Sequence, residues 1–209
     1  MFYRLYFKRI FDLTLTIIAL IVLSPIILLT IVSLFIANKN TGVFYTQVRP
    51  GKDEKLFSII KFKSMNDATD KNGSLLPEQD RLTPIGAFIR KTSIDEIPQL
   101  INVLKGEMSI VGPRPLFTEY LPYYTDFEKR RHSIRPGITG WAQVNGRNNL
   151  DWEKRLFLDV FYVKRHSFLL DLKIILKSIH VVLRRKGNVV ISGVNTISLN
   201  IERGDVVGN

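Results

Sequence analysis

Two adjacent carboxylates, Asp95 and Glu96, lie in the run Arg90-Lys91-Thr92-Ser93-Ile94-Asp95-Glu96-Ile97-Pro98, preceded by two cations. Ser93 and Glu96 stand three residues apart, the spacing of a capping box, and the helix dipole favours acidic residues at a helix start. Pro98 argues against that arrangement. With Ser93 as N-cap, Pro98 falls inside the helix, where its missing N–H would be needed. With Pro98 at the first helical position, Asp95 and Glu96 stand just outside the helix. There they are free to act, beside a helix end that favours an anion such as phosphate. Local physics leaves the structural and the chemical reading both open.

Arg114 is the second candidate. In Gly112-Pro113-Arg114-Pro115 the flanking prolines leave the backbone few conformations, so the guanidinium is presented with little entropy left to lose. A planar fork suits bidentate phosphate binding, and equally a structural pairing with a carboxylate. Lys61-Phe62-Lys63-Ser64-Met65 places two lysines at a strand end, either as a solvated face or as a phosphate contact. Glu128 to Arg131, with His132 and Arg135, forms a basic cluster ahead of a glycine loop; it could face headgroups or a nucleotide, or simply solvent. His132, His166 and His180 are dispersed without metal-ligand spacing, and no Walker, Rossmann or nucleophile-elbow pattern occurs.

The elements that must position these residues follow from pattern. Gly42 to Val48 and Leu56 to Lys63 read as the strands of a hairpin turning at Arg49-Pro50-Gly51. Residues 66 to 84 read as loop, with Asn72-Gly73, Pro77 and Pro84. Pro98 to Lys105 is predicted to be a short helix closed by Gly106. Val111 to Pro115 must be extended or turning, and Arg135 to Gly140 is predicted to be loop. Trp152 to Val163 is predicted helical. Asp171 to Lys186 is an amphipathic helix with Leu172, Ile175, Leu176, Ile179, Val182 and Leu183 on one face. That face suits a core or a membrane surface. The fold class expected is α+β, mostly helical with a small β-hairpin and amphipathic surface helices. The segments expected are 1–40 as membrane anchor, 41–186 as catalytic domain and 187–209 as a loosely ordered tail.

The anchor is the uncharged run from Leu13 to Ala37, with Ser24-Pro25 at its middle. Its 25 residues would reach ~37 Å as one helix, enough for a hydrocarbon core of ~30 Å. Pro25 frees the carbonyl of Ile21, which in lipid needs a local partner, and the Ser24 hydroxyl is the nearest. Two half-helices would reach only ~18 Å each, about one leaflet. Arg4, Lys8 and Arg9 precede the run and Lys39, Arg49, Lys52 and Lys55 follow it, so both flanks read as cytoplasmic. Physics alone leaves a re-entrant and a spanning helix equally open. The run is longer than a signal-peptide core and lacks a cleavage site. The 209-residue chain has no cysteine, which excludes disulfides, thiolate zinc sites and cysteine nucleophiles. Its net charge of +11 suits a phosphate-rich partner, and the membrane segment favours anionic lipid headgroups or a nucleotide over nucleic acid.

Together these segments resemble the bacterial sugar transferases, specifically the small monotopic polyprenyl-phosphate phosphoglycosyl transferases of the PglC type. The likeness runs from Lys8-Arg9-Ile10-Phe11-Asp12 to about Lys186. It rests on Ser24-Pro25, Thr46-Gln47-Val48-Arg49-Pro50-Gly51, Lys61-Phe62-Lys63-Ser64-Met65 and Ser93-Ile94-Asp95-Glu96-Ile97-Pro98-Gln99-Leu100. Further along come Gly112-Pro113-Arg114-Pro115, the run from Arg135 through Trp141 to Asn148, and Asp171-Leu172-Lys173. Larger relatives carry extra transmembrane helices in front of this module, so the chain looks like the minimal form.

The resemblance implies an N-terminal re-entrant membrane helix broken at Ser24-Pro25, on the cytoplasmic face of the bacterial inner membrane. It implies transfer of a sugar-1-phosphate from a UDP-sugar to polyprenyl (undecaprenyl) phosphate, with release of UMP and a requirement for Mg²⁺. Asp95 matches the family's nucleophile and Glu96 its metal-binding partner, with both carboxylates at the metal. Lys61, Arg90 and Arg114 match cations around the phosphates, and Arg147 is assigned with them to substrate binding. Arg165 replaces the amide usual in the family's Tyr-Val-x-Asn-x-Ser stretch. A membrane-anchored binding protein with a basic surface is the competing class, and an ordinary glycosyltransferase, releasing UDP, the competing enzyme. The sugar, the pathway and a homodimer are left open.

Overall fold

The computed structural model describes residues 3–38, 41–146, 150–184 and 198–207. A π-helical turn, Tyr3–Phe7, leads into α1, Lys8–Ala37. With a mean hydropathy of 2.9 over its most apolar window, of which 11% is buried, α1 is long and apolar enough to cross a membrane. The expected break at Ser24-Pro25 is not an interruption of the helix: α1 continues through Pro25. Ser24 Oγ donates to the carbonyl oxygen of Ile21 at 2.8 Å, supplying the partner that proline withholds.

Both ends of α1 are fastened to the same body of protein. Near the start, Arg9 donates to the carbonyl oxygens of Val103 and Leu104 at 2.6 and 2.9 Å. Asp12, 2% exposed, accepts from Ser109 Oγ at 2.7 Å. Near the other end, Leu34 is fully buried with Phe62 and Ile89, and Ile27 and Ile31 pack alongside. Asn38 Nδ2 closes the junction by donating to the carbonyl oxygen of Lys63 at 2.9 Å. The middle of α1 presents bare aliphatic side chains, with Ile21 and Val22 each 67% exposed.

The expected hairpin forms, but Arg49 and Pro50 belong to the paired strand and the turn falls at residues 51–55. Strand β1, Phe44–Pro50, pairs antiparallel with β2, Leu56–Phe62, in a register that sets Tyr45 opposite Lys61. The stretch read as loop contains a short helix, α2, Glu78–Arg81. Helix α3, Pro84–Thr92, is capped by the Thr83 hydroxyl, and Ser93 at φ 60° ends it. Helix α4, Gln99–Lys105, starts after Pro98 and stops at Gly106 with φ 84°, as the proline–glycine punctuation requires.

Two segments read only as extended or loop pair instead as a parallel ladder, β3 (Ser109–Val111) with β4 (Gly137–Thr139). They are too short for their side-chain pattern to announce a strand. A Cβ on Gly137 would lie 2.0 Å from the amide nitrogen of Gly112, so glycine is what lets the two backbones meet.

The remaining helices are α5 (Asp126–Lys129), α6 (Trp141–Asn145), α7 (Trp152–Arg165), α8 (Phe168–Arg184) and α9 (Leu199–Val207). Helix α8 buries Asp171 and Ile174. It turns outward much of the apolar face read from sequence, with Leu172, Leu176 and Ile179 at 38%, 58% and 52% exposure. Helix α9 falls in the stretch expected to be a loose tail, yet its Leu199 is fully buried beside Tyr120, Trp152 and Leu156.

Candidate active site

The turn between α3 and α4 carries the paired carboxylates. Ile94–Glu96 form one 3₁₀ turn ahead of α4, and Ser93 makes no side-chain cap hydrogen bond. The capping-box arrangement is therefore not formed. The Glu96 carboxylate is used across the fold instead. Its Oε1 accepts from Lys61 Nζ, at the end of β2, at 2.9 Å and from Arg114 Nη2 at 2.6 Å. Asp95 Oδ2 lies 3.8 Å from Lys61 Nζ. The site thus gathers Lys61, Asp95, Glu96 and Arg114 from three separate stretches of sequence.

The two neighbouring carboxyls are pushed in opposite directions. Burial, then the adjacent Glu96 charge, raises Asp95 to about 6 against the partial relief of Lys61, Arg114 and Arg90. Burial also works against ionised Glu96, but Arg114 and Lys61 overcome it and bring Glu96 down to about 2. Glu96 is a fixed anion held between two cations. Asp95 is deprotonated at neutral pH yet more basic than an ordinary carboxylate, which suits a nucleophile.

Arg90 is placed differently from the other cations. Its Nε donates to Ser64 Oγ at 2.7 Å and its Nη1 lies 3.8 Å from Glu78. It acts on Asp95 through its field rather than by contact. Arg147 lies outside the described residues. Arg165 is exposed on α7, its guanidinium 4.9 Å from the Phe161 ring centroid.

Several supporting contacts were not foreseen from sequence, although Lys8, Asp12 and Asp171 stand in motifs that carry the resemblance. Arg131, read as part of a basic cluster facing headgroups, a nucleotide or solvent, is 2% exposed. It holds Asp159 of α7 from Nε at 3.1 Å and Nη2 at 2.8 Å, and Nη2 also donates to the carbonyl oxygen of Arg114 at 2.6 Å. His132, next to it, is buried and pushed down to about 3 by burial and the Arg131 charge. A buried ion pair of this kind leaves no periodic trace. Asp171, fully buried, accepts from Tyr3 Oη at 2.5 Å and Tyr162 Oη at 2.6 Å and pairs with Lys8 Nζ at 2.7 Å. Lys8 in turn holds Asp12 at 2.9 Å, joining α1, α8 and β3.

Lys61 and Arg114, which neighbour the carboxylates, also line a cavity of about 220 Å³, together with Arg49, Gln99, Leu116 and Phe117 among others. Arg49 lies with its Cζ 3.7 Å from the Phe117 ring centroid.

The donor set fits magnesium in one mode. Among the described residues no group of three or more His, Cys, Asp or Glu side chains could cage an ion. Glu96 Oε1 is occupied by Lys61 and Arg114, leaving Oε2, and among the described residues the Asp95 carboxylate has one cation within 4 Å, Lys61 at 3.8 Å. Two carboxylates completed by substrate phosphates and water is an ordinary magnesium arrangement.

A family model described as bacterial sugar transferase matches residues 3–185. The chain belongs to the bacterial sugar transferase family. It is 53% identical over 180 residues to an uncharacterized sugar transferase, EpsL, of Bacillus subtilis, covering 86% of this chain and 89% of that one. It is 40% identical over 200 residues to an undecaprenyl-phosphate galactose phosphotransferase of Salmonella typhimurium, covering 87% of this chain and 41% of that protein. It is 42% identical over 191 residues to an undecaprenyl-phosphate glucose phosphotransferase of Komagataeibacter xylinus, covering 82% and 35%. This bacterial sugar transferase thus spans most of the Bacillus relative and about two-fifths of the other two.

Proposed function

We propose that the chain moves a sugar-1-phosphate from a UDP-sugar to polyprenyl phosphate, at the cytoplasmic face of a bacterial inner membrane. The observation that carries this reading is the divided pair: Glu96 locked by Lys61 and Arg114, with Asp95 unlocked and basic. In the first step a carboxylate oxygen of Asp95 attacks the sugar-bearing phosphorus. The bond from that phosphorus to the bridging oxygen breaks, and UMP departs with the electron pair. In the second step an oxygen of the lipid phosphate attacks the same phosphorus and the Asp95 carboxylate leaves. Charge on the transferring oxygens is the main obstacle in such reactions. Lys61, Arg114 and the field of Arg90 oppose it, and Lys61 and Arg114 orient Glu96. Asp95 and the free oxygen of Glu96 are the groups that would hold Mg²⁺, which supplies further neutralisation of phosphate charge when bound.

The anchor's geometry supports a re-entrant, monotopic placement. Asp12 and Leu34, at opposite ends of α1, both pack into one domain. A single compact domain does not stand on both sides of a bilayer. The outward Leu172, Leu176 and Ile179 of α8 suit an apolar strip resting at the headgroup boundary. There the site faces the depth at which a lipid phosphate lies.

Incubation with candidate UDP-sugars and no acceptor tests the chemistry. Intact-protein mass spectrometry is expected to show one added sugar phosphate and the medium to contain UMP. An Asp95→Asn enzyme that releases UMP at the wild-type rate sinks the covalent mechanism, and release of UDP points to an ordinary glycosyltransferase.

A further inference from the structure

The cavity that Lys61 and Arg114 line contains a third cation, Arg49, beyond the two that the paired carboxylates use. Lys61 and Arg114 share Glu96, but Arg49 forms no ion pair among the described residues, and Glu119 favours its charge only from a distance. Its polar contact is Gln47 Oε1 at 2.6 Å, and its guanidinium is held flat against Phe117. Arg49 is half-buried, and besides burial itself, the Arg114 charge is what most disfavours its own. Two guanidinium groups in one cleft repel each other, and an isolated protein gains nothing from that arrangement. It becomes favourable when an anion stands between them.

A second feature of the same cleft needs a partner. Gln99 lines the cavity, is 1% exposed, and its side-chain Nε2 has no hydrogen-bond acceptor among the described residues. A buried amide left unpaired is unfavourable unless something in use satisfies it. The acceptor that would satisfy it and relieve the arginines is one and the same: an oxyanion.

We infer that Arg49 and Gln99, with Arg114 opposite, form a subsite for a phosphate monoester next to Asp95, distinct from the grip of Lys61 and Arg114 on Glu96. The cavity's size, about 220 Å³, decides how much of a ligand enters. Pockets that enclose whole drug-sized ligands run roughly 300–1,000 Å³, so this one takes a phosphate and its first attached atoms, not a nucleotide sugar entire. This inference rests on the proposed reaction for the identity of its ligand. That reaction brings two phosphate monoesters to Asp95: the departing UMP and the lipid phosphate acceptor. The subsite chemistry is common to both.

The test uses the full chain in detergent or nanodiscs, with binding as its primary readout so that no turnover is needed. Calorimetric titration with UMP and, separately, with undecaprenyl phosphate compares wild type with Arg49→Gln and Gln99→Met. Each variant is expected to weaken one of these ligands at least fivefold. Weakened UMP with unchanged lipid phosphate assigns the subsite to the leaving group, and the converse assigns it to the acceptor. Gln99→Met also keeps the shape of the side chain while removing the unpaired amide, so its melting temperature is expected to stay level or rise as binding falls. A purely structural Gln99 predicts the opposite, a lower melting temperature with binding intact. Wild-type affinity for both ligands in a folded Gln99→Met and Arg49→Gln overturns the subsite. Weakened binding in a chain that transfers no sugar phosphate leaves the subsite standing and overturns the proposed reaction instead.

Discussion

Arg131 reaches the backbone of Arg114: its Nη2 donates to the Arg114 carbonyl oxygen at 2.6 Å while the same guanidinium holds Asp159. The cation that grips Glu96 is therefore positioned by another cation, buried on α7's flank. Arg131→Met leaves Asp159 buried without the guanidinium that holds it, and a loss of about 3–5 kcal/mol in chemical unfolding is expected. Adding Asp159→Leu to it removes the stranded charge and is expected to recover most of that stability. Turnover is expected to stay low in the double variant, because the Arg114 carbonyl still lacks its donor. Wild-type turnover in the double variant would reduce the pair to a packing role.

Asp95 is expected to titrate near 6 in the metal-free protein, readable as a carboxyl ¹³C shift absent from Asp95→Asn. Because its folded value lies above the unfolded one, the folded state binds this proton more tightly. The Asp95 contribution to stability is thus present at acid pH and lost as pH rises through about 4 to 6. Asp95→Asn is expected to abolish that slope and raise stability at neutral pH.

Removing Glu96's charge shifts its neighbour. In Glu96→Gln the repulsion on Asp95 disappears, so the Asp95 midpoint is expected to move down from about 6. Lys61→Met is expected to move it up, since Lys61 favours the ionised form. Lys61→Met is also expected to lower activity or magnesium affinity by about 10- to 100-fold, the usual effect of losing a partner that orients a metal ligand. Unmoved midpoints in both variants would show that burial alone sets the Asp95 value.

Topology can be read with single cysteines, because the chain has none of its own. Phe2→Cys and Asn40→Cys are expected to respond alike to an impermeant thiol reagent on intact cells. Labelling of one and not the other establishes a spanning helix. Pro25→Ala alone is expected to leave the Ser24 bond to Ile21 in competition with an ordinary helical one, so Ser24→Ala/Pro25→Ala is the variant expected to favour spanning.

The sequence made legible whatever had a local cause. Pro98 and Gly106 bound α4, two strand-like runs around Pro50-Gly51 marked the hairpin, and the prolines around Arg114 singled it out. The meeting of Lys61, Glu96 and Arg114 needed side chains 18 and 35 residues apart to converge on one oxygen, which no local pattern encodes. The β3–β4 ladder escaped notice because three-residue strands carry too few alternations to read. Arg131 escaped because a charge run is ordinarily solvated, and burial of one member is decided by Asp159 arriving from another helix. Arg49 and Gln99 each sat in a segment with a sufficient structural reading, as turn and as helix start.

The fastening of α1 at both ends bears on how this enzyme can be handled. Cutting away residues 1–37 would leave the Ser109 hydroxyl and the Ile110 amide without Asp12, strand Lys8's other partner Asp171, and open the side of Phe62 and Ile89 that Leu34 covers. The long apolar helix is thus a wall of the folded body rather than a tether. Solubilisation by truncation is expected to yield an unfolded chain, and a water-soluble form requires polar substitutions confined to the bare middle, around Ile21 and Val22.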